Sequence, residues 1–127
     1  METFLSSDST SNRKGHDTGW LLTEDGKVLA SLTSPTSTRS AMRGLMFTDP
    51  TDTAIYFGRG SMIHTFGVSF ELDVAVLSRD SEVARTLRLK PNRVAFTGYK
   101  HGGIIEAEAG SFERWGLTIG QQLNIDL

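Results

Sequence analysis

The chain has 127 residues, 38% of them hydrophobic and 22% charged, which is enough to bury a single core and no more. Thirteen basic residues against fifteen acidic ones leave a formal charge of −2, so the basic footprint that nucleic acid or an anionic membrane selects is missing. With no cysteine, a disulfide framework, a thiolate zinc site and thiol catalysis are all excluded.

Residues 1 to 17 are poor in apolar groups and rich in Ser, Thr, Asp and Asn, a composition that cannot offset the entropy of ordering; they read as a flexible tail, with the domain over 18 to 127. The polar run after Leu5 leaves no apolar segment of the kind a secretory signal needs. No stretch approaches the roughly twenty apolar residues of a membrane helix, and the expected location is cytoplasmic. Trp20-Leu21-Leu22-Thr23 and Lys27-Val28-Leu29-Ala30 flank Asp25-Gly26, a dipeptide suited to the positive φ angles of a hairpin turn. Ser34-Pro35 suits a helix start and Gly44 a helix end, which predicts one short helix over 36 to 43.

Asp49-Pro50-Thr51-Asp52 is a turn cluster that releases Ala54-Ile55-Tyr56-Phe57 as a strand. Leu72 to Ser78 and Glu82 to Leu89 are β-rich runs separated by Arg79-Asp80-Ser81, the spacing of a second hairpin; strict alternation puts Val83, Arg85, Leu87 and Leu89 on one face. Pro91 ends that strand, Val94-Ala95-Phe96 is a short one, and His101-Gly102-Gly103 turns the chain into Ile104-Ile105-Glu106-Ala107-Glu108. Ser111 suits the N-cap of a helical turn running to Trp115 and closed by Gly116, before Leu123-Asn124-Ile125 returns as a last strand. Many short strands without an alternation of strand and long helix predict a mainly β domain. An antiparallel sandwich or barrel with one short helix and a C-terminal helical turn is the expected form.

The most informative run is Ser61 to Leu77, which inserts His64, Gly67 and Asp73 into an otherwise apolar, strand-like stretch. His64-Thr65-Phe66-Gly67 with Asp73 beyond it, preceded by Arg39-Ser40-Ala41-Met42-Arg43-Gly44-Leu45-Met46 and followed by Leu89-Lys90-Pro91-Asn92-Arg93 and the Glu106 to Gly120 block, resembles the DUF192 (UPF0127) family. The resemblance spans about Gly19 to Leu123 and implies a small, mostly β domain of no established activity. Glu71 stands where relatives often carry proline, Val68 where they carry methionine and Gln121 where they carry aspartate, so a site tuned as in the family does not follow from the resemblance.

No nucleophile elbow, phosphate loop, dinucleotide fingerprint or His-Glu-x-x-His zinc motif is present, and nothing selects one serine as a nucleophile. For a metal, only His64, Asp73 and Glu71 could converge, and no metal or cofactor is expected. His64 has two readings: a proton donor, acceptor or ligand contact, or a half-buried ring that bonds a carbonyl and supports the Gly67 turn; the second is favoured. An inward Asp73 must be paired, with Arg43 and Arg39 as natural partners, and a structural ion pair is favoured over an anion site. Met42, Met46 and Met62 read as core filler, Trp115 as a plug over one end of the barrel, and Arg93 as a loop arginine that could reach the same rim.

The function that follows is a non-enzymatic binding or accessory module. Its candidate rim is Arg43, His64, Thr65, Asp73 and Arg93, for a small polar ligand or a protein segment and not for nucleic acid. The alternative is a small hydrolase or isomerase using His64 and Asp73 as an acid-base pair. A third reading is an assembly module that associates through a sheet edge.

Overall fold

The computed structural model describes residues 16–35, 53–58, 60–98 and 101–127. The predicted helix over 36 to 43, together with Arg39, Met42, Arg43 and Met46, lies outside the described residues. The described strands are β1 (His16–Thr23), β2 (Val28–Pro35), β3 (Thr53–Phe57), β4 (Met62–His64), β5 (Leu72–Leu77), β6 (Val83–Leu89), β7 (Val94–Phe96), β8 (Gly103–Glu108) and β9 (Leu123–Asp126). One short helix, α1 (Ser111–Trp115), sits between β8 and β9. β1 takes in His16 and Asp17, two residues of the stretch expected as tail.

Seven strands form one sheet in the order β9-β1-β2-β3-β8-β5-β6, and β4 and β7 pair separately. The large sheet curls into a half-barrel, so the domain is mainly β as the turn spacing predicted. All pairings are antiparallel except β2 with β3, whose alignment runs Ser31 to Thr53 through Thr33 to Ile55 in parallel.

Both predicted hairpins form. At the first, the Gly26 amide donates to the Thr23 carbonyl at 3.0 Å and the Thr23 amide to the Lys27 carbonyl at 2.8 Å. Only Gly26 has positive φ there, at 94°; Asp25 instead accepts a bond from the Thr23 hydroxyl. This is a three-residue loop closed by a glycine bulge in place of a two-residue turn. At the second, the Ser78 amide reaches the Glu82 carbonyl at 2.8 Å and Ser81 takes φ 66°.

A bulge corrects the predicted face of β6. Val83 aligns with Leu77 but Arg85 aligns with Val76, so Ala84 is the extra residue and the alternation changes phase across it. Val83 therefore packs in one core with Ala75, Leu77, Ile105, Ala107, Phe112 and Trp115, while Leu87 and Leu89 pack in another with Ile55, Leu72, Val74 and Ile104. The sheet is buried on both faces, which explains why all of Leu72–Leu77 is buried. One face holds α1, with the rings of Phe112 and Trp115 5.8 Å apart. Over the opposite face lies the β4-β7 pair, through Ile63 and Ala95.

Met62 is not core filler: it is 61% exposed on β4. Ser111 is not the N-cap either. Gly110 takes that position in a left-handed conformation, and the side chain that serves the helix start comes from another strand.

Candidate functional site

Alternation along β5 and β8 distributes two buried carboxylates. Asp73 aligns with Ala107 and Arg88, and Glu106 aligns with Val74 and Ile55, so these neighbours in the sheet point to opposite faces. Asp73 faces α1. Its Oδ2 accepts the Gly110 amide at 2.8 Å and the Phe112 amide at 3.2 Å, and its Oδ1 accepts Arg88 Nε at 3.0 Å. A carboxylate brought from a distant strand thus caps a helix whose own N-cap, glycine, has no side chain to do so. The partner of Asp73 among the described residues is Arg88, on the neighbouring strand, where the sequence suggested Arg43 or Arg39.

Glu106 faces the other way, into the space between the large sheet and β4. It is 1% exposed, and its Oε1 has no hydrogen-bond partner among the described residues. Burial pushes its carboxyl up from the usual carboxylate range to about 7. It lines a cavity of about 140 Å³ together with Phe57, Gly60, Met62, Ile63, His64 and Ile104.

His64 reaches this cavity from a strand end held by an unusual concentration of bonds. Thr65 is 1% exposed; its hydroxyl donates to the Lys90 carbonyl at 2.6 Å and accepts the Arg93 amide at 2.8 Å. Its own amide donates to the Arg93 carbonyl at 2.9 Å, and its carbonyl accepts the Asn92 and Val68 amides at 3.1 and 3.2 Å. The two sequence landmarks, His64 to Gly67 and Leu89 to Arg93, are therefore one structure, stapled through Thr65. Gly67 supplies the turn with φ 87°. Within it the Phe66 amide donates to His64 Nδ1 at 3.3 Å, which leaves the proton of a neutral ring on Nε2. Among the described residues no three His, Asp or Glu side chains converge in a way that could hold a metal ion.

The expected rim thus separates into parts. His64 lines the cavity. Thr65 and Asp73 are buried and their polar atoms are engaged in holding a loop and a helix. Arg93 folds back onto the carbonyls of Pro91 and Asn92, both at 3.3 Å, and its backbone, not its guanidinium, makes the staple. Arg43 lies outside the described residues. His64 and Asp73 stand on opposite sides of the sheet, so the acid-base pair suggested from sequence does not form; the carboxyl that shares a cavity with His64 is Glu106. Its signal was in the sequence, since Ile104-Ile105-Glu106-Ala107 sets a carboxylate in an apolar strand just as Leu72-Asp73-Val74 does.

Two solved structures resemble the chain. One is a candidate transcription regulator from Sinorhizobium meliloti 1021, with a TM-score of 0.63 at 20% identity over 87% of this chain and 93% of that one. The other is a protein of unknown function from Novosphingobium aromaticivorans DSM 12444, with a TM-score of 0.64 at 15% identity over 85% of each chain. At these identities the likeness is one of fold. No curated protein matches the chain. Over residues 21–125 the sequence matches the family model for DUF192, described as an uncharacterized ACR, and the chain belongs to that family.

Proposed function

We propose that this domain is a non-enzymatic binding module. It admits a small polar group, from a free ligand or a protein segment, to the cavity between β3, β4 and β8, with Glu106 and His64 as its recognition residues. The observation that carries this reading is the buried Oε1 of Glu106, which has no hydrogen-bond partner among the described residues. A buried polar atom without a bond costs about 1–3 kcal/mol, and a ligand that supplies the missing partner recovers that cost. Arg43 and Arg93 remain proposed rim residues on the sequence pattern. Thr65 serves the site by holding the loop that follows His64, and Asp73 belongs to the scaffold on the other face of the sheet.

A panel of small amines, alcohols, amides and carboxylates, followed by amide chemical shifts, tests the reading. Expected are shifts concentrated at Phe57, His64, Ile104 and Glu106 for at least one class, and their loss in Glu106→Gln. Shifts confined to another surface, or none with any class, would remove the basis for the proposal.

A second reading has its own observation. Burial pushes the Glu106 carboxyl up to about 7, and it lines the same cavity as His64, the kind of pairing from which acid-base catalysts are built. Turnover of chromogenic ester, amide or phosphoester substrates that disappears in both Glu106→Gln and His64→Ala would favour this reading over simple binding.

A further inference from the structure

We infer that the group this cavity takes is an alkylammonium, the end of a lysine side chain on an extended, apolar segment of a partner protein that lies across the outer face of the β4-β7 pair. The inference rests on the cavity being a binding site and adds the chemistry and the source of its occupant.

The chemistry follows from what faces Glu106. From β3 come Ile55 and Phe57, from β5 Val74, from β8 Ile104 and from β4 Ile63, with Met62 and His64 completing the lining; among the described residues no lysine or arginine side chain lines the cavity. His64 Nδ1 already accepts the Phe66 amide. A carboxylate removed from water is stabilised by a cation or by several donors; among the described residues no cation lines the cavity, and the Nε2 proton of His64 is the single side-chain donor in its lining. An ammonium brings both on a methylene stem that can lie along Phe57, Met62 and Ile104. With one oxygen unpartnered among the described residues, the site suits a compact point charge better than the two-pronged guanidinium. At about 30 Å³ for a water-sized group, the cavity of about 140 Å³ has room for an ammonium and the last methylenes of a lysine.

A separate observation identifies the source. Cross-strand alignment of Met62 with Phe96 and of His64 with Val94 puts these side chains on one face of the small sheet, the other being turned to the core through Ile63 and Ala95. Met62, Val94 and Phe96 are 61%, 52% and 56% exposed, and Phe66, 53% exposed, lies with its ring 5.4 Å from that of His64. Large apolar side chains gathered in this way mark an interaction surface. Met62 and His64 belong both to this face and to the cavity lining, so the apolar surface runs up to the opening. A free amine would leave that surface unused. An extended segment with apolar residues beside its lysine covers both, and the buried carboxylate supplies the matching charge.

The probe is a blocked pentapeptide, serine-valine-lysine-valine-serine, titrated against the intact chain at pH 8 and followed by amide shifts. Its Nε-acetyl-lysine form and n-butylamine are run alongside. The lysine peptide is expected to shift His64 and Glu106, and to bind about tenfold or more tightly than either its acetylated form or its complex with Glu106→Gln, as for loss of a desolvated charge pair. Val94→Ser, on the exposed face but outside the cavity lining, is expected to weaken the peptide about threefold while leaving n-butylamine unchanged. Because the ligand's cation requires the ionised carboxyl, which burial pushes up to about 7, affinity should fall roughly tenfold from pH 8 to pH 6. Equal binding by the acetylated peptide would overturn the cation while leaving the cavity a binding site. Equal binding by n-butylamine would overturn the protein partner. Absence of any shift in the cavity, with these probes and with the fragment panel, would overturn the site itself.

Discussion

Asp73 and Glu106 are both buried, 5% and 1% exposed, on adjacent strands and one residue out of register with each other, yet their circumstances are opposite. Asp73 accepts three bonds that tie a helix and a strand to the sheet. Glu106 has an oxygen with none among the described residues and a carboxyl pushed up to about 7. A buried carboxylate is therefore not in itself a sign of function. What distinguishes scaffold from site is whether the fold satisfies it.

The comparison breaks most visibly at Asp73. Asp73→Ala leaves the Gly110 and Phe112 amides without an acceptor in a buried setting, and should lower unfolding free energy by about 3–5 kcal/mol in urea melts. A midpoint equal to the parent's would mean that α1 finds another cap and that Asp73 is not structural.

Glu106 should respond in the other direction. Its carboxyl rises from 4.5 unfolded to about 7 folded, so across that window the native state keeps a proton that the unfolded chain has released, and stability falls as pH rises. Glu106→Gln removes the ionisable group and should be more stable than the parent by about 2–3 kcal/mol at pH 8. The difference should vanish near pH 4.5. Identical pH dependence in the two proteins would show that water or an unseen donor already serves the carboxyl.

Gly67 sharpens the comparison on the side of His64. Its φ of 87° excludes most side chains, although an added Cβ would meet nothing within 4 Å, so the penalty of Gly67→Val is conformational alone, about 1–2 kcal/mol. Gly67→Asn, whose residue type tolerates positive φ, should recover most of it in the same thermal melt. Equal losses for both would point to packing instead of backbone strain.

The smallest effect is expected at Arg88. Its side chain is 53% exposed, so Arg88→Ala should cost under about 1 kcal/mol despite the 3.0 Å ion pair with Asp73. A loss approaching that of Asp73→Ala would move the weight of the Asp73 network from the helix cap to the salt bridge.

Much of this was readable along the chain. Asp25-Gly26 and Arg79-Asp80-Ser81 marked real hairpins, Pro91 closed a strand, and Gly116 ended α1 in the left-handed conformation that glycine favours. Such signals are local: turn chemistry acts within four or five residues, and alternation reports burial along one strand. The same locality explains the errors. Alternation placed Val83 with Leu87 and Leu89, but the extra residue at Ala84 is set by how β6 meets β5 and by the backbone bond from Val83 to Gln121 near the start of β9.

For the site, sequence alone established the family, the mainly β class and the singular character of His64 and Asp73 within apolar surroundings. Which carboxylate shares a cavity with His64 was decided by the register between β5 and β8, since a shift of one position exchanges the two faces of a strand. Which carboxylate is satisfied was decided by where α1 docks, 37 residues along the chain from Asp73 at its first contact. Both are relations between segments far apart in sequence. No local pattern contains them, because the free energy that selects them arises only when the layers pack.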